Sequence, residues 1–276
     1  MLQIATVSVF LGRAWQHIYW DAPYRTLLWD ENWMRPIVTG LFGVSWESYV
    51  TTSDQAIQNV IIGIGCFYII CALAAIFIQK LKKIAVIILW LGGLSLILLA
   101  ALYCKERFFH LGQFFEYTLQ WSSSLFLIWL FYKQNITLNI ILLIKIAISV
   151  TFICHGLYAV GYYPRPAGFM DMTMNILHFN NNQAIIFLKT VGFLDFIAGI
   201  LLFFPRYIGM IGLLYCIIWG FFTTTARILA HIHIDFIDNF LLQWLHESLY
   251  RFPHFLIPLG ALFWQMALNR QHLRQF

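Results

Sequence analysis

Nine histidines and a few charged residues stand inside or beside long apolar runs. An ionisable group in a membrane-length apolar segment costs free energy, so it needs a partner or a role. Arg13 and His17 are four residues apart, hence on one face of a helix. His110, Gln113, Glu116, Gln120, Ser123 and Ser124 form a polar stripe at helical spacing. Thr223, Arg227, His231 and Asp235 form a second one at four-residue steps. His155 ends one apolar run, and Lys189 and Asp195 lie inside the next. Lipid cannot satisfy such groups, so they must face a bundle interior or a water-filled space. The pattern predicts a polar cavity near the outer membrane surface, with Arg13, His17, Glu116, His155, Lys189, Asp195, Arg227 and His231 as ligand-binding candidates.

The chemistry that suits these residues is hydrogen bonding and proton transfer to a quinone or lipid-like head. Such a head needs donors near the interface, and its tail needs an apolar slot. Histidine, with an unperturbed pKa of about 6.5, can carry protons there. Trp20, Phe114, Phe115, Tyr158 and Trp219 are candidate walls. A competing reading pairs the charges structurally, Glu116 with Arg13 and Asp195 with Lys145, while Arg227 and Lys189 snorkel to headgroups. His231-x-His233-x-Asp235 looks like a metal-ligand run. On a helix, however, His233 leaves the face shared by the other two, and no further ligand is fixed by spacing, so no metal is assigned. His17 and His155 sit at helix ends, where haem ligation is disfavoured. The five cysteines contain no C-x-x-C pair, against disulfide exchange. His246-Glu247 lacks the second histidine of a zinc-protease motif. No catalytic residue is assigned.

The elements that must position these groups are membrane helices. The chain has 276 residues, 61% hydrophobic and 11% charged, where soluble domains carry roughly 25% charged residues. The net charge of +5 orients helices rather than binding nucleic acid. Runs of about 20 apolar residues occur at Leu2–Trp20, Val60–Ile78, Ile84–Tyr103, Leu111–Tyr132, Ile136–Val160, Ala184–Phe204, Tyr207–Leu229 and Phe252–Leu268. With the N-terminus inside, the inner turns hold Lys80, Lys82, Lys83, Lys133, Arg206, Arg270 and Arg274 and no acid. Asp21, Asp30, Glu31, Glu47, Asp54 and Glu247 fall outside, as the positive-inside rule requires. The expectation is an all-α multi-pass protein of the bacterial inner membrane, with eight helices and both termini cytoplasmic.

The halves look related. Each begins with a helix ending in histidine, His17 or His155, and continues through a Pro-bearing outer loop. A helix pair on a short basic turn comes next, then an outer stretch and a fourth helix. That order predicts parallel repeats, residues 1–134 and 135–276.

HGLYAVGYYP, the FMDM loop and FLKTVGFLDFIAGILLFFP in the second half resemble the DoxX-like membrane proteins. That family includes the small subunits of thiosulfate:quinone oxidoreductase. GRAWQHIYWDAPYR in the first half is loosely similar to the membrane domain shared with vitamin K-dependent carboxylases. The resemblance implies four-helix bundles, here two in tandem, and a redox-linked subunit with a quinone as ligand. The alternative is a non-catalytic anchor or assembly partner for an envelope complex, contacting other proteins through outer-loop aromatics such as Trp29, Trp33 and Trp46.

Overall fold

A computed structural model describes residues 1–133, 137–232 and 237–273. Among the described residues the regular structure is entirely helical. Helix α1 spans Leu2–Tyr19. The short helices α2 (Arg25–Leu28), α3 (Glu31–Leu41) and α4 (Trp46–Thr52) lead to α5 (Asp54–Ile76). A turn containing α6 (Ile78–Leu81) joins α5 to α7 (Lys83–Glu106); α8 (Leu111–Glu116) and α9 (Thr118–Lys133) follow. The second half runs α10 (Leu138–Val160), α11 (Ala167–Leu177), α12 (Asn181–Leu201), α13 (Arg206–Leu229), α14 (Ile237–Leu249) and α15 (Pro253–Leu273).

Five helices, α5, α7, α10, α12 and most of α13, are long and apolar enough to cross a membrane. The other three expected crossings are marked differently. In α1, Arg13, Gln16 and His17 are buried. The expected fourth span breaks at Tyr117 into α8 and a 16-residue α9. That break interrupts the stripe from His110 to Ser124. Helix α15 carries Pro258, which removes one backbone donor. The long helices send apolar side chains outward: Ile84, Ile87, Leu91, Leu94 and Leu98 make an exposed stripe along α7. Such a face suits lipid, not water.

Local signals explain several boundaries. Asn180 and Gln183 form a reciprocal capping box at the start of α12. Gly161, at φ 92°, closes α10 in the left-handed conformation. Asp30 caps α3 by accepting from the Trp33 amide and also takes a hydrogen bond from Lys105.

Two sets of helices pack in the same cyclic order, α1–α5–α7–α9 and α10–α12–α13–α15. The first core centres on Phe10, Ile61, Tyr68, Leu89 and Leu99. The second centres on Ile148, Phe152, Leu202, Leu213 and Ile257, and it reaches Ala5 of α1 and Leu119 of α9. Helices α1 and α9 therefore join the sets. Helix α14 lies against α1 and α13, over one end of the junction. Helices α10 and α12 touch through Gly156 and Gly192: a Cβ at Gly192 would stand 2.9 Å from the Gly156 carbonyl and 2.8 Å from Val160 Cγ1. Small residues allow this close approach.

Gly192→Val should lower stability by about 1–3 kcal/mol through overpacking. Gly168→Ala, where a Cβ meets open space, should raise it by about 0.5–1 kcal/mol; thermal unfolding in detergent measures both. Lys105 holds the Asp30 carboxyl below the usual carboxylate range. That contact stabilises the fold above the unfolded-state value of about 3.9 and is lost as pH falls through the lower folded value. Between about pH 6 and about pH 3, Asp30→Asn should therefore lose less thermal stability than wild type.

Candidate functional site

Asp195 of α12 is fully buried in an apolar helix, yet it has two donors. His155 Nδ1 of α10 lies 2.9 Å from its Oδ2, and the Tyr215 hydroxyl of α13 donates to its Oδ1 at 2.9 Å. With Asp195 ionised its oxygens only accept, and Nδ1 then carries the proton. The other imidazole nitrogen, Nε2, has no protein partner among the described residues. The Phe169 ring of α11 packs against the imidazole at a tilt of 38°, with ring centres 4.9 Å apart.

His155 borders an open cavity of about 600 Å³ lined by α11, α12 and α13, a size suited to a small lipophilic ligand. Its walls are mainly apolar, Met172, Leu188, Val191, Leu194, Ile218, Trp219 and Phe222 among them. Leu194, Ile218 and Phe222 are also exposed on the outer faces of α12 and α13. The rim is thus continuous with the apolar surface of two spans. Arg227 lines the same cavity. Its Nε donates to Glu247 at 2.8 Å and its Nη1 to the Thr223 carbonyl at 3.0 Å, which leaves Nη2 without a hydrogen-bond partner among the described residues.

A second polar group fills the junction of the two helix sets. The Arg13 side chain, 1% exposed, donates to Gln16 at 2.7 Å and to Gln120 at 2.6 Å. Its guanidinium stands 3.9 Å from the centre of the Tyr250 ring, 5.0 Å from Tyr117 and 5.5 Å from Tyr103. Arg251 also lies over the Tyr250 ring, 4.8 Å from its centre, and 3.6 Å from Glu247. Arg13 is therefore linked to Arg227 through Tyr250, Arg251 and Glu247. Burial alone would push the Glu247 carboxyl up, but Arg227 and then Arg251 outweigh it and hold the group below the carboxylate range. Burial pushes His246, on the same short helix, down to about 4, so it is neutral at pH 7.

No family model, characterised protein or solved structure matches this chain.

The candidates divide accordingly. His155, Asp195 and Arg227 meet at one cavity. Arg13 and His17 belong to the junction, where the His17 Nδ1 donates to the Arg13 carbonyl at 2.7 Å. Glu116 accepts from Gln113 at 3.3 Å and lies within electrostatic range of Arg227 and Arg251. Lys189 is exposed and joins neither group. His231 stacks on Trp244 at 3.7 Å, because α13 ends at Leu229 before the expected stripe is complete. His233 and Asp235 lie outside the described residues. The expected Glu116–Arg13 and Asp195–Lys145 pairs do not form: Arg13 takes amide oxygens and tyrosine faces, and Asp195 takes His155 and Tyr215. Of the expected walls, only Trp219 lines the cavity. Tyr215, Tyr250 and Arg251 carry no role in the sequence reading, and Glu247 stands there only as an outer acid and in a rejected zinc motif. Tyr215 gives no sequence signal inside its apolar run, whereas Glu247 and Arg251 have the four-residue spacing of an ion pair.

Arg13→Lys should destabilise more than Arg25→Lys, because an ammonium cannot bridge two amide oxygens while lying flat on tyrosine rings. The expected loss at Arg13 is about 2 kcal/mol, read as a larger fall in Tm.

Proposed function

We propose that this chain is a bacterial inner-membrane protein that takes a quinone-type or similar lipid-soluble ligand into the cavity beside His155. In this reading it crosses the membrane eight times as two tandem DoxX-like four-helix bundles, with both termini cytoplasmic and the cavity end outside. One observation carries the ligand reading: a largely apolar space, with its rim on two apolar spans, has a carboxylate-backed imidazole in its wall. A ligand entering from the bilayer leaves its tail among apolar side chains and brings its head to His155.

His155 is suited to exchange a proton with a carbonyl or hydroxyl oxygen. Asp195 fixes the tautomer and stabilises the imidazolium when Nε2 takes a proton, and Tyr215 supplies Asp195 with a second donor. Arg227 adds a donor at the cavity wall. Conversion of a quinone to a quinol takes two protons and two electrons. The residues here handle protons, and the electrons would come from a redox partner protein, which makes the chain a membrane subunit of such a complex. The sequence resemblance supports that assignment.

A second reading, an anchor for envelope proteins, is favoured by α3. Trp33, Ile37 and Leu41 form an exposed apolar face there. Trp29 is no part of such a surface, since its indole donates to Ser53 at 3.0 Å and packs into the first core.

Equilibrium binding of decylubiquinone to the purified protein separates the two. Wild type should bind it, His155→Ala should bind about tenfold more weakly, the loss of one hydrogen bond worth about 1.4 kcal/mol, and Lys189→Ala should bind unchanged. Absence of binding by wild type, or equal binding by His155→Ala, would overturn the ligand reading. Recovery of a stable partner by membrane crosslinking, lost in Trp33→Ala, would then favour the anchor.

A further inference from the structure

The cavity beside His155 has a polar group at each end and an apolar middle. At one end His155 and the Tyr215 hydroxyl meet on Asp195. At the other, Arg227 folds back along α13 until its Nη1 donates to the Thr223 carbonyl at 3.0 Å. Tyr215 and Thr223 lie on the same helix, about 12 Å apart along its axis at about 1.5 Å per residue. Ile218, Trp219 and Phe222 line the interval, with Leu188 and Val191 of α12. Helix α11 runs the same way. Its Phe169 packs on His155, and its Asn175 Nδ2 donates to the Ala230 carbonyl, just past Arg227, at 3.4 Å.

The Arg227 end carries a surplus of positive charge. Arg227 and Arg251 share Glu247, at 2.8 and 3.6 Å. Glu116 lies within electrostatic range of both, and Arg13 within range of Arg251. This cluster therefore sets three guanidiniums against two carboxylates among the described residues. Asp195 does not redress the balance, because it is engaged by His155 at the far end. The Arg227 side chain is only 9% exposed, and a buried cation is costly without an anion to offset it. Arg13 is closed in by two glutamine oxygens and tyrosine rings. Arg227 lines the cavity and has an arm, Nη2, without a hydrogen-bond partner among the described residues. The cavity is thus where an anion has both room and a donor.

We infer that the cavity takes a single-chain amphiphile with an anionic head, the head on Arg227 Nη2, the chain along Ile218, Trp219 and Phe222, and its far end beside His155. A guanidinium arm donates equally well to a carboxylate or a phosphate oxygen, so the class is a fatty acid or a single-chain lipid phosphate. In the topology proposed above, such a molecule keeps the direction it has in the outer leaflet, and the apolar rim on α12 and α13 admits it from the side. The inference rests on the ligand reading of the cavity, but not on a quinone head at His155.

The probes are dodecanoate, dodecyl phosphate and methyl dodecanoate, bound at equilibrium by the full chain in nanodiscs, with empty nanodiscs as the blank. Wild type should bind at least one of the two anions about tenfold more tightly than the uncharged ester, and the tighter anion names the source, fatty acid or lipid phosphate. Arg227→Gln should bind all three alike, and Arg227→Lys should keep the preference. Equal binding of anions and ester by wild type, or an unchanged preference in Arg227→Gln, overturns the inference. If Arg227→Gln does not fold, a photoreactive diazirine dodecanoic acid replaces it. Wild type should then be labelled on α11, α12 or α13, less so with an excess of the preferred anion and no less with the ester; anion-sensitive labelling found only elsewhere overturns the inference. Failure of decylubiquinone to bind, with the anion preference intact, removes the quinone head alone. Binding of decylubiquinone without any anion preference removes this inference alone.

Discussion

A guanidinium with no carboxylate paired to it among the described residues sits where the two helix sets meet. Arg13 is held by two glutamine oxygens and by tyrosine faces from α7, the α8–α9 break and the α14–α15 corner. A buried charge is costly unless its surroundings are fixed around it. Amide oxygens and ring faces fix it only if all of those elements are in register. Gln120 places α9, Tyr250 places the corner, and Gly12 allows that corner to approach α1: a Cβ there would stand 2.6 Å from the Tyr250 amide nitrogen. The joint between the halves is thus specified by a polar contact within an apolar protein, where hydrophobic matching alone has little to specify.

From that joint the polar groups run toward Arg227 and the cavity. Glu247 lies between Arg227 and Arg251, and so ties α13 to the loop side of α15. With Nε and Nη1 occupied, the remaining arm of Arg227 is the one left for the cavity. The junction and the cavity are two regions of one electrostatic network, but their chemistry differs. The junction is closed, and Arg13 donates there to Gln16 and Gln120. At the cavity, an imidazole edge and a guanidinium arm meet apolar space.

Gly65 sets α5 against α1 much as Gly192 sets α12 against α10. Tyr68 and Asp195 stand at the same place in their helix pairs, but only Asp195 forms an ion-capable pair with its histidine. A phenol in the first set and a carboxylate in the second give one matched position two different chemistries.

Hydrophobic runs, their lengths and the positions of the basic turns are properties of the chain, so an all-helical membrane architecture was legible from the sequence. The order of segments suggested paired halves, and the rarity of charge inside apolar runs marked Arg13, His155, Asp195 and Arg227. Partnership was not legible. Charge alone suggested Asp195 with Lys145 and Arg13 with Glu116. Helix rotation and the glycine contacts instead brought His155 and Tyr215 to Asp195, and rings and amides to Arg13. Nor could spacing show that α13 stops before His231 or that α11 spans a gap. The sequence by itself determined which groups need company, because burying them is costly wherever they go. Only the tertiary structure decided which company they keep, because that depends on how helices rotate and approach, distances that no linear spacing contains.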